Sequence, residues 1–189
     1  VKDRDKVHFL TSNKGKYREA VAVASACGLR LHMLRASKVE IQSDSLRRIA
    51  SYAAQEAANR LNVNIVVEDA GLFIDKLHGF PGPYSSDVFK RLGYGGILEL
   101  LRDASQRNAE FRSVVAFCEP HGRPRCFAGV VSGKIGHGAC GTGGFGYDPV
   151  FIPVRGDGRT FAQMTAKEKN RISHRAQSFR KLARWLLGE

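Results

Sequence analysis

The sequence predicts an α/β domain built on a mixed sheet, and three observations carry that expectation. Apolar runs of strand length alternate with segments of helical apolar spacing through the first third of the chain. Later, two strand-like runs follow one another across a short turn containing proline and glycine, the pattern of an antiparallel pair. No repeat, low-complexity tract or linker interrupts the 189 residues, so a single domain over residues 1–189 is expected.

Val7-His-Phe-Leu10 reads as a short strand, followed by the polar turn Thr11-Ser-Asn-Lys-Gly-Lys16 and a helix from Tyr17 to Cys27 that Gly28 stops. Leu31-His-Met-Leu34 is a second strand. A long helix is expected from Ser45 to Leu61, where Leu46, Ile49, Ala50, Ala53, Ala57 and Leu61 trace one face, and it leads into the strand Ile65-Val-Val67. Gly79-Phe-Pro-Gly-Pro83 must be a loop, since its prolines and glycines leave neither helix nor ladder intact. Helical pieces follow before Gly93 and from Gly95 to Ala104. Phe111 to Cys118 and Arg125 to Val131 are strands joined by the turn Glu119 to Pro124, with Ser132 to Ile135 able to extend the second. Gly138 to Gly146 is a glycine-rich loop leading into the strand Pro149-Val-Phe-Ile152. Helices over Ala166 to Ile172 and His174 to Leu187 close the chain, the last with an apolar stripe of Phe179, Leu182, Ala183 and Leu186.

Composition narrows the function classes. With 43% hydrophobic residues the chain can bury one substantial core. Its longest uncharged apolar stretch, Ala20 to Leu29, is half of the ~20 residues a membrane span needs, and the segment after Val1 to Lys6 is too short for an export signal, so a cytoplasmic protein is expected. Cys27, Cys118, Cys126 and Cys140 form no C-x-x-C pair and read as buried thiols; the alternative is a disulfide between Cys118 and Cys126 across the hairpin, which a cytosol disfavours. A formal charge of +12 and a pI near 9.9 favour polyanionic partners, nucleotides or nucleic acid. The excess is concentrated in residues 155–189, with nine Lys/Arg against three Asp/Glu.

Four segments carry chemistry. Thr11 to Lys16 joins a strand to a helix N-terminus, where free N–H groups and the helix dipole favour an anion, and Asn13, Lys14 and Lys16 add donors; an ordinary capped turn is the competing reading. Glu68 and Asp69 end an apolar strand, where α/β sheets place ligands, and form a metal corner if the strand stops and Gly71 lets the backbone turn; otherwise they are two solvated carboxylates. Glu40, after the Leu31 strand, is a candidate third oxygen ligand. Gly141-Thr-Gly-Gly-Phe-Gly146 fits G-x-G-x-x-G, but a strand rather than a helix follows, so its glycines are read as letting backbone approach a ligand, with Phe145 or Tyr147 offering a face to a base. Lys167 to Arg175 packs four Lys/Arg, His174 and Ser173 into nine residues, and Ser173 would place His174 and Arg175 in the first turn of the last helix. Cations there oppose the dipole, a conflict a bound anion or an electronegative base edge would relieve.

Taken in order, TSNKGK, VEDAGL, GFPGPYS, GGFGYDPVF and EKNRISHR resemble the inosine triphosphate pyrophosphatase family over residues 7 to 187. The resemblance implies an elongated mixed sheet flanked by helices, two lobes around a nucleotide cleft, and a homodimer. It further implies hydrolysis of non-standard purine nucleoside triphosphates (ITP, dITP, XTP) to monophosphate and pyrophosphate. By the same resemblance Thr11, Ser12, Asn13, Lys14, Gly15 and Lys16 hold the triphosphate, and Glu40 and Asp69 bind Mg²⁺. Asp69 activates water with Glu68 in support, and Ala70 lies against the substrate. Phe145, Gly146, Tyr147 and Asp148 wrap the nucleoside and Lys169 reaches phosphate or base. His174 and Arg175 read the 6-keto edge, to which they donate hydrogen bonds that an adenine amino group cannot accept. One departure stands out: family members often carry a lysine where this chain has Tyr52, Ala53, Ala54 and Gln55, and Lys14 is the expected substitute.

Two readings compete. A basic nucleic-acid-binding protein without catalysis is consistent with the charge, but Glu40, Glu68 and Asp69 would repel a phosphate backbone unless a metal intervenes. A metal-dependent phosphatase or nucleotide kinase would use the same corner and differ in its products. Nothing in the sequence requires a membrane or an obligatory nucleic acid.

Overall fold

The computed structural model describes residues 6–188. The reading of the N-terminal segment therefore falls largely on residues 1–5, outside the described residues. Strands are β1 Val7–Leu10, β2 Leu31–Leu34, β3 Ile65–Ile74, β4 Pro81–Gly82, β5 Asn108–Cys118, β6 Arg125–Ile135 and β7 Phe151–Pro153. Helices are α1 Lys14–Ala26, α2 Leu46–Leu61, α3 Ser85–Leu100, α4 Ala166–Ile172 and α5 His174–Leu187. The strands form one seven-stranded sheet ordered β2-β1-β3-β5-β6-β7, with β4 paired to β3. β1 is parallel to β2 and β3, whereas β4 and β7 run antiparallel to β3 and β6. This is the mixed α/β sheet that the alternation of strand and helix patterns predicts.

The chain divides into two compact units. The first holds Val1–Asp69, Ser113–Gly129 and Arg175–Glu189. Its core gathers Phe9, Val23, Leu31, Val66, Phe179 and Leu182, from β1, α1, β2, β3 and α5. Ser45 caps α2 by accepting a hydrogen bond from Arg48 N at 3.3 Å, and Asn62 ends the helix in the left-handed region at φ 52°. Between these ends Ala50, Ala53, Ala54, Ala57 and Ala58 are fully buried, small side chains that permit close packing.

The second unit holds Ala70–Arg112 and Val130–His174. Leu72, Ile97, Val131 and an aromatic group make its core; Phe111 lies 4.7 Å from Phe151, and Phe151 5.2 Å from Phe161, between ring centroids. Helix α3 breaks at Gly93, whose φ of 61° and ψ of −166° only glycine adopts readily, dividing it into the two pieces the sequence predicts.

Two expectations about the strands change. β3 does not stop at Val67: it runs to Ile74 because Leu72 and Phe73 pair with Gly82 and Pro81 of β4, and Leu72 N donates to Ser85 Oγ at 2.8 Å. Gly71 is therefore a point of close approach, not a turn; a Cβ there would sit 2.1 Å from the Gly82 carbonyl oxygen. Gly71→Ala should cost about 1–3 kcal/mol through this overlap, read as a lower urea midpoint. The strand expected over Pro149 to Ile152 begins only at Phe151, because Asp148 N bonds back to Phe145 O and Val150 N to Tyr147 O in successive turns. The four cysteines are free thiols, as the main reading expects and not the disulfide alternative, but only Cys118 is buried; Cys27 and Cys126 are half-buried, Cys140 is exposed, and the Cys126 Sγ lies 3.0 Å from Ser51 Oγ.

Candidate active site

Because β3 continues past the carboxylates, the two-residue period of a strand sends Glu68 and Asp69 to opposite faces instead of converging them on one point. Glu68 is buried. Its Oε1 accepts from Ser113 Oγ and from Arg175 Nε, each at 2.8 Å, and its Oε2 lies 3.5 Å from Lys16 Nζ. Arg175 Nη1 also donates to Glu19 Oε2 at 2.5 Å, so Glu19, Arg175, Glu68 and Lys16 form a row of alternating charge. Burial opposes the charge on Arg175, but Glu68 and Glu19 outweigh it and hold its pKa above the ordinary value. Ser178 Oγ, 2.9 Å from Ser113 Oγ, donates to the Arg175 carbonyl. Sequence reading missed Glu19, Ser113 and Ser178. Glu19 had a usable signal, one helical turn beyond Lys16 on α1.

Asp69 presents a different chemistry. Its Oδ2 is buried without a hydrogen-bond partner. Burial is the chief cause that pushes its carboxyl up to about 6; Lys16 and Lys38 pull it down, while Glu68 and Glu40 push it further up. Glu40 itself is exposed and ion-paired with Lys38. A half-buried carboxylate with an orphaned oxygen, whose ionised form is opposed by burial and by the charges of Glu68 and Glu40, is a group that a divalent cation would relieve. Among the described residues no three His, Cys, Asp or Glu side chains form a closed cage. One or two carboxylates plus water and phosphate oxygens is what Mg²⁺ takes, so the donor set fits that ion.

The turn before α1 is tighter than expected, since the helix begins at Lys14 and not Tyr17. Asn13 is its N-cap, accepting from Lys16 N at 3.0 Å, while Asn13 N donates to Thr11 Oγ1 at 3.1 Å. The capped-turn and anion-site readings thus describe the same structure. Ser12, Asn13 and Lys14 are exposed, Thr11, Gly15 and Lys16 half-buried, and no acidic residue occupies the first turn. In the region lacking the family lysine, Tyr52 and Gln55 face outward on α2. The lysines that act on Asp69 are Lys16 and Lys38, and Lys38 had not been singled out from sequence.

In the second unit the Lys169 ammonium lies 2.6 Å from Asp148 Oδ2, both side chains buried, and 5.1 Å from the centre of the Phe145 ring. Phe145 N donates to the same carboxylate oxygen at 2.7 Å. Asp148 thereby fixes the loop that carries Phe145 and Gly146. Tyr147 is a core residue: its hydroxyl donates to Ser85 O at 3.2 Å, its ring meets Phe89 edge-on, and burial pushes its pKa up to about 12. Of the two aromatics considered for stacking, Phe145 is the one half-exposed. Two of the loop glycines are needed for packing against protein: a Cβ on Gly141 would lie 2.5 Å from the Ala162 carbonyl carbon, and one on Gly144 2.0 Å from Asp148 Oδ2, whereas one on Gly146 would meet nothing within 4 Å. Ala70 is half-buried within β3. His174 is buried and stacks on Phe111, centroids 4.8 Å apart at 12°. As expected, His174 and Arg175 open α5 directly after Ser173, which ends α4.

Comparison with known proteins covers nearly the whole chain. The profile of the Ham1 family matches residues 7–185. The dITP/XTP pyrophosphatase of Methanopyrus kandleri is 47% identical over 180 residues, 95% of each chain. That of Thermococcus kodakarensis is 47% identical over 178 residues, 94% of this chain and 95% of the relative. Among solved structures, a HAM1 protein from Coxiella burnetii superposes with a TM-score of 0.85 at 28% identity, covering 97% of this chain and 99% of its own. The Staphylococcus aureus Ham1 protein gives 0.82 at 28% identity, covering 97% and 98%.

Proposed function

The chain belongs to the Ham1 family, and from that premise we propose that it is a nucleoside triphosphate pyrophosphatase. It hydrolyses the non-standard purine nucleotides ITP, dITP and XTP to the monophosphate and pyrophosphate, clearing them from the nucleotide pool. The observation that carries the mechanism is Asp69, a carboxylate with a buried orphan oxygen and a pKa of about 6, set among two lysines and two further carboxylates.

Of the first unit, the reading assigns Thr11 to Lys16 to the triphosphate. Lys14 and Lys16 supply charge, and the N-terminus of α1 supplies its dipole. Glu68, paired with Arg175, holds Lys16 in place and supports Asp69 rather than deprotonating water itself. Asp69 accepts the proton of the hydrolytic water, a task suited to a group titrating close to the working pH. Asp69 and Glu40 would hold Mg²⁺, which when bound lowers the pKa of a coordinated water and offsets charge developing on the leaving pyrophosphate. Lys38 balances Glu40 beside them. Of the second unit, Phe145 offers the base its ring, Lys169 its ammonium and His174 a hydrogen bond to the 6-keto edge; Arg175, which the reading also assigns to that edge, belongs to the first unit. A homodimer and a cytoplasmic location belong to the same reading on the strength of the resemblance. No helix among the described residues is long and apolar enough to cross a membrane.

Product analysis tests this directly. With ITP and Mg²⁺ the expected products are inosine monophosphate and pyrophosphate in equal amounts, and exhaustive chelation should remove activity that added Mg²⁺ restores. Orthophosphate as the first product would make the protein a phosphatase, a phosphorylated acceptor would make it a kinase, and undiminished turnover after chelation would remove the metal from the mechanism.

A further inference from the structure

Arg107, in the second unit, is buried immediately before β5, and its guanidinium meets carbonyls instead of a carboxylate. Nε donates to Ile135 O and Nη2 to Gly136 O, each at 2.9 Å, and Nη1 donates to Leu101 O. The three acceptors come from two segments: Leu101 at the end of α3, and the adjoining Ile135 and Gly136, where β6 ends and the loop leading to Phe145 departs. Ile135 N returns a hydrogen bond to Arg107 O at 2.9 Å.

That junction is continuous with the loop's own bonding. Gly136 N donates to Val150 O at 2.8 Å, so the residue Arg107 holds is joined to the far root of the loop. Cys140 N bonds to Pro149 O, and Cys140 O accepts from Thr160 Oγ1 at 2.7 Å. Ala162 N bonds to Asp148 O at 3.2 Å, and Asp148 carries Phe145 and Lys169. A buried charge is costly unless it is satisfied, and the multi-donor fork of arginine is the side chain able to serve three carbonyls at once. Such a group is out of proportion to closing an ordinary surface loop.

We infer that Arg107 is a positioning residue for nucleotide recognition: its three-way carbonyl clamp fixes the root of the 136–150 loop and so sets where Phe145, Asp148 and Lys169 stand. The inference deepens the proposed function and rests on its assignment of this loop to the nucleoside. Lysine in this place keeps the charge but loses the fork. Arg107→Lys therefore raises KM for ITP roughly 10-fold or more while kcat changes less than about 3-fold, since the groups around Asp69 are untouched. In the nucleotide-free variant, hydrogen exchange accelerates across residues 137–148, with α2 and α5 protected as in the wild type.

Three measurements separate the possibilities. Phe145→Ala is the reference, expected to raise KM whatever Arg107 does. If Phe145→Ala raises KM and Arg107→Lys does not, the clamp has no bearing on recognition and the inference is overturned. If Phe145→Ala leaves KM unchanged, the assignment of the loop falls and this inference with it. Should Arg107→Lys fail to fold, the wild type decides by NMR: the Arg107 Nε–H exchanges slowly and its resonance shifts on saturation with a non-hydrolysable ITP analogue. A resonance indifferent to the analogue overturns the inference.

Discussion

Asp69→Asn should abolish turnover and at the same time raise the melting temperature of the metal-free protein at pH 7.5. The amide is nearly isosteric but can neither accept the proton of water nor bring negative charge to a cation, so a loss of 10³-fold or more in kcat is expected. The gain in stability follows from the raised pKa. In the fold the carboxyl titrates at about 6, above its ordinary value, chiefly because it is buried. A carboxyl whose folded pKa is raised binds protons more tightly in the native state, so its favourable contribution is present at low pH and is lost as pH rises through about 6. Above that pH the ionised group costs roughly 1–3 kcal/mol, which asparagine removes, and for a chain of this size each kcal/mol is worth about 2–4 °C. The difference between variant and wild type should shrink to nothing near pH 4. Mg²⁺ should raise the melting temperature of the wild type and not of the variant. If asparagine leaves stability at pH 7.5 unchanged or lower, burial is not what governs Asp69; if it leaves turnover intact, the base lies elsewhere and Glu68 is the next candidate.

Glu68 and Asp69 show where the sequence was legible and where it was not. Strand, turn and helix around Thr11 to Lys16 were legible, with the helix start three residues late, because each rests on neighbours within a few residues: an apolar run, a capped turn, a helical period. The order of the motifs was legible too, and with it the family. The separation of the two carboxylates was not, because it depends on β4 extending β3 from a segment that reads locally as a Pro-Gly loop. Nor could spacing reveal that Arg175 lies against Glu68, 107 residues earlier, and Glu19, 156 residues earlier. Tyr147 illustrates a related failure. An aromatic in a glycine-rich loop resembles a stacking platform, and only the packing of Phe89 and the carbonyl of Ser85 make it core. Local patterns locate the loops that carry the chemistry; which side chains within them are spent on the protein itself is settled by long-range contacts.

Arg175→Ala tests that distinction at the residue where both demands meet. Removing the guanidinium deprives the buried Glu68 of its arginine counter-ion while Ser113 and the more distant Lys16 stay beside it, and breaking a buried pair in this way costs about 3–5 kcal/mol, or roughly 6–20 °C in melting temperature. Much of that loss is the penalty of an uncompensated carboxylate. Glu68→Gln in the same chain should therefore recover a large part of it, because the remaining amide can still pair with Ser113. Base recognition follows a different rule. If Arg175 donates to a 6-keto purine, kcat/KM for ITP falls roughly 10-fold or more in Arg175→Ala, equivalent to ~1.4 kcal/mol or more, with a smaller loss for ATP. The double variant does not recover it, since no donor has been restored. Stability and selectivity should thus come apart: Glu68→Gln repairs the first and leaves the second broken. Equal proportional losses for ITP and ATP, repaired together with the melting temperature in the double variant, would reduce Arg175 to the counter-ion of Glu68 and leave the 6-keto edge to His174.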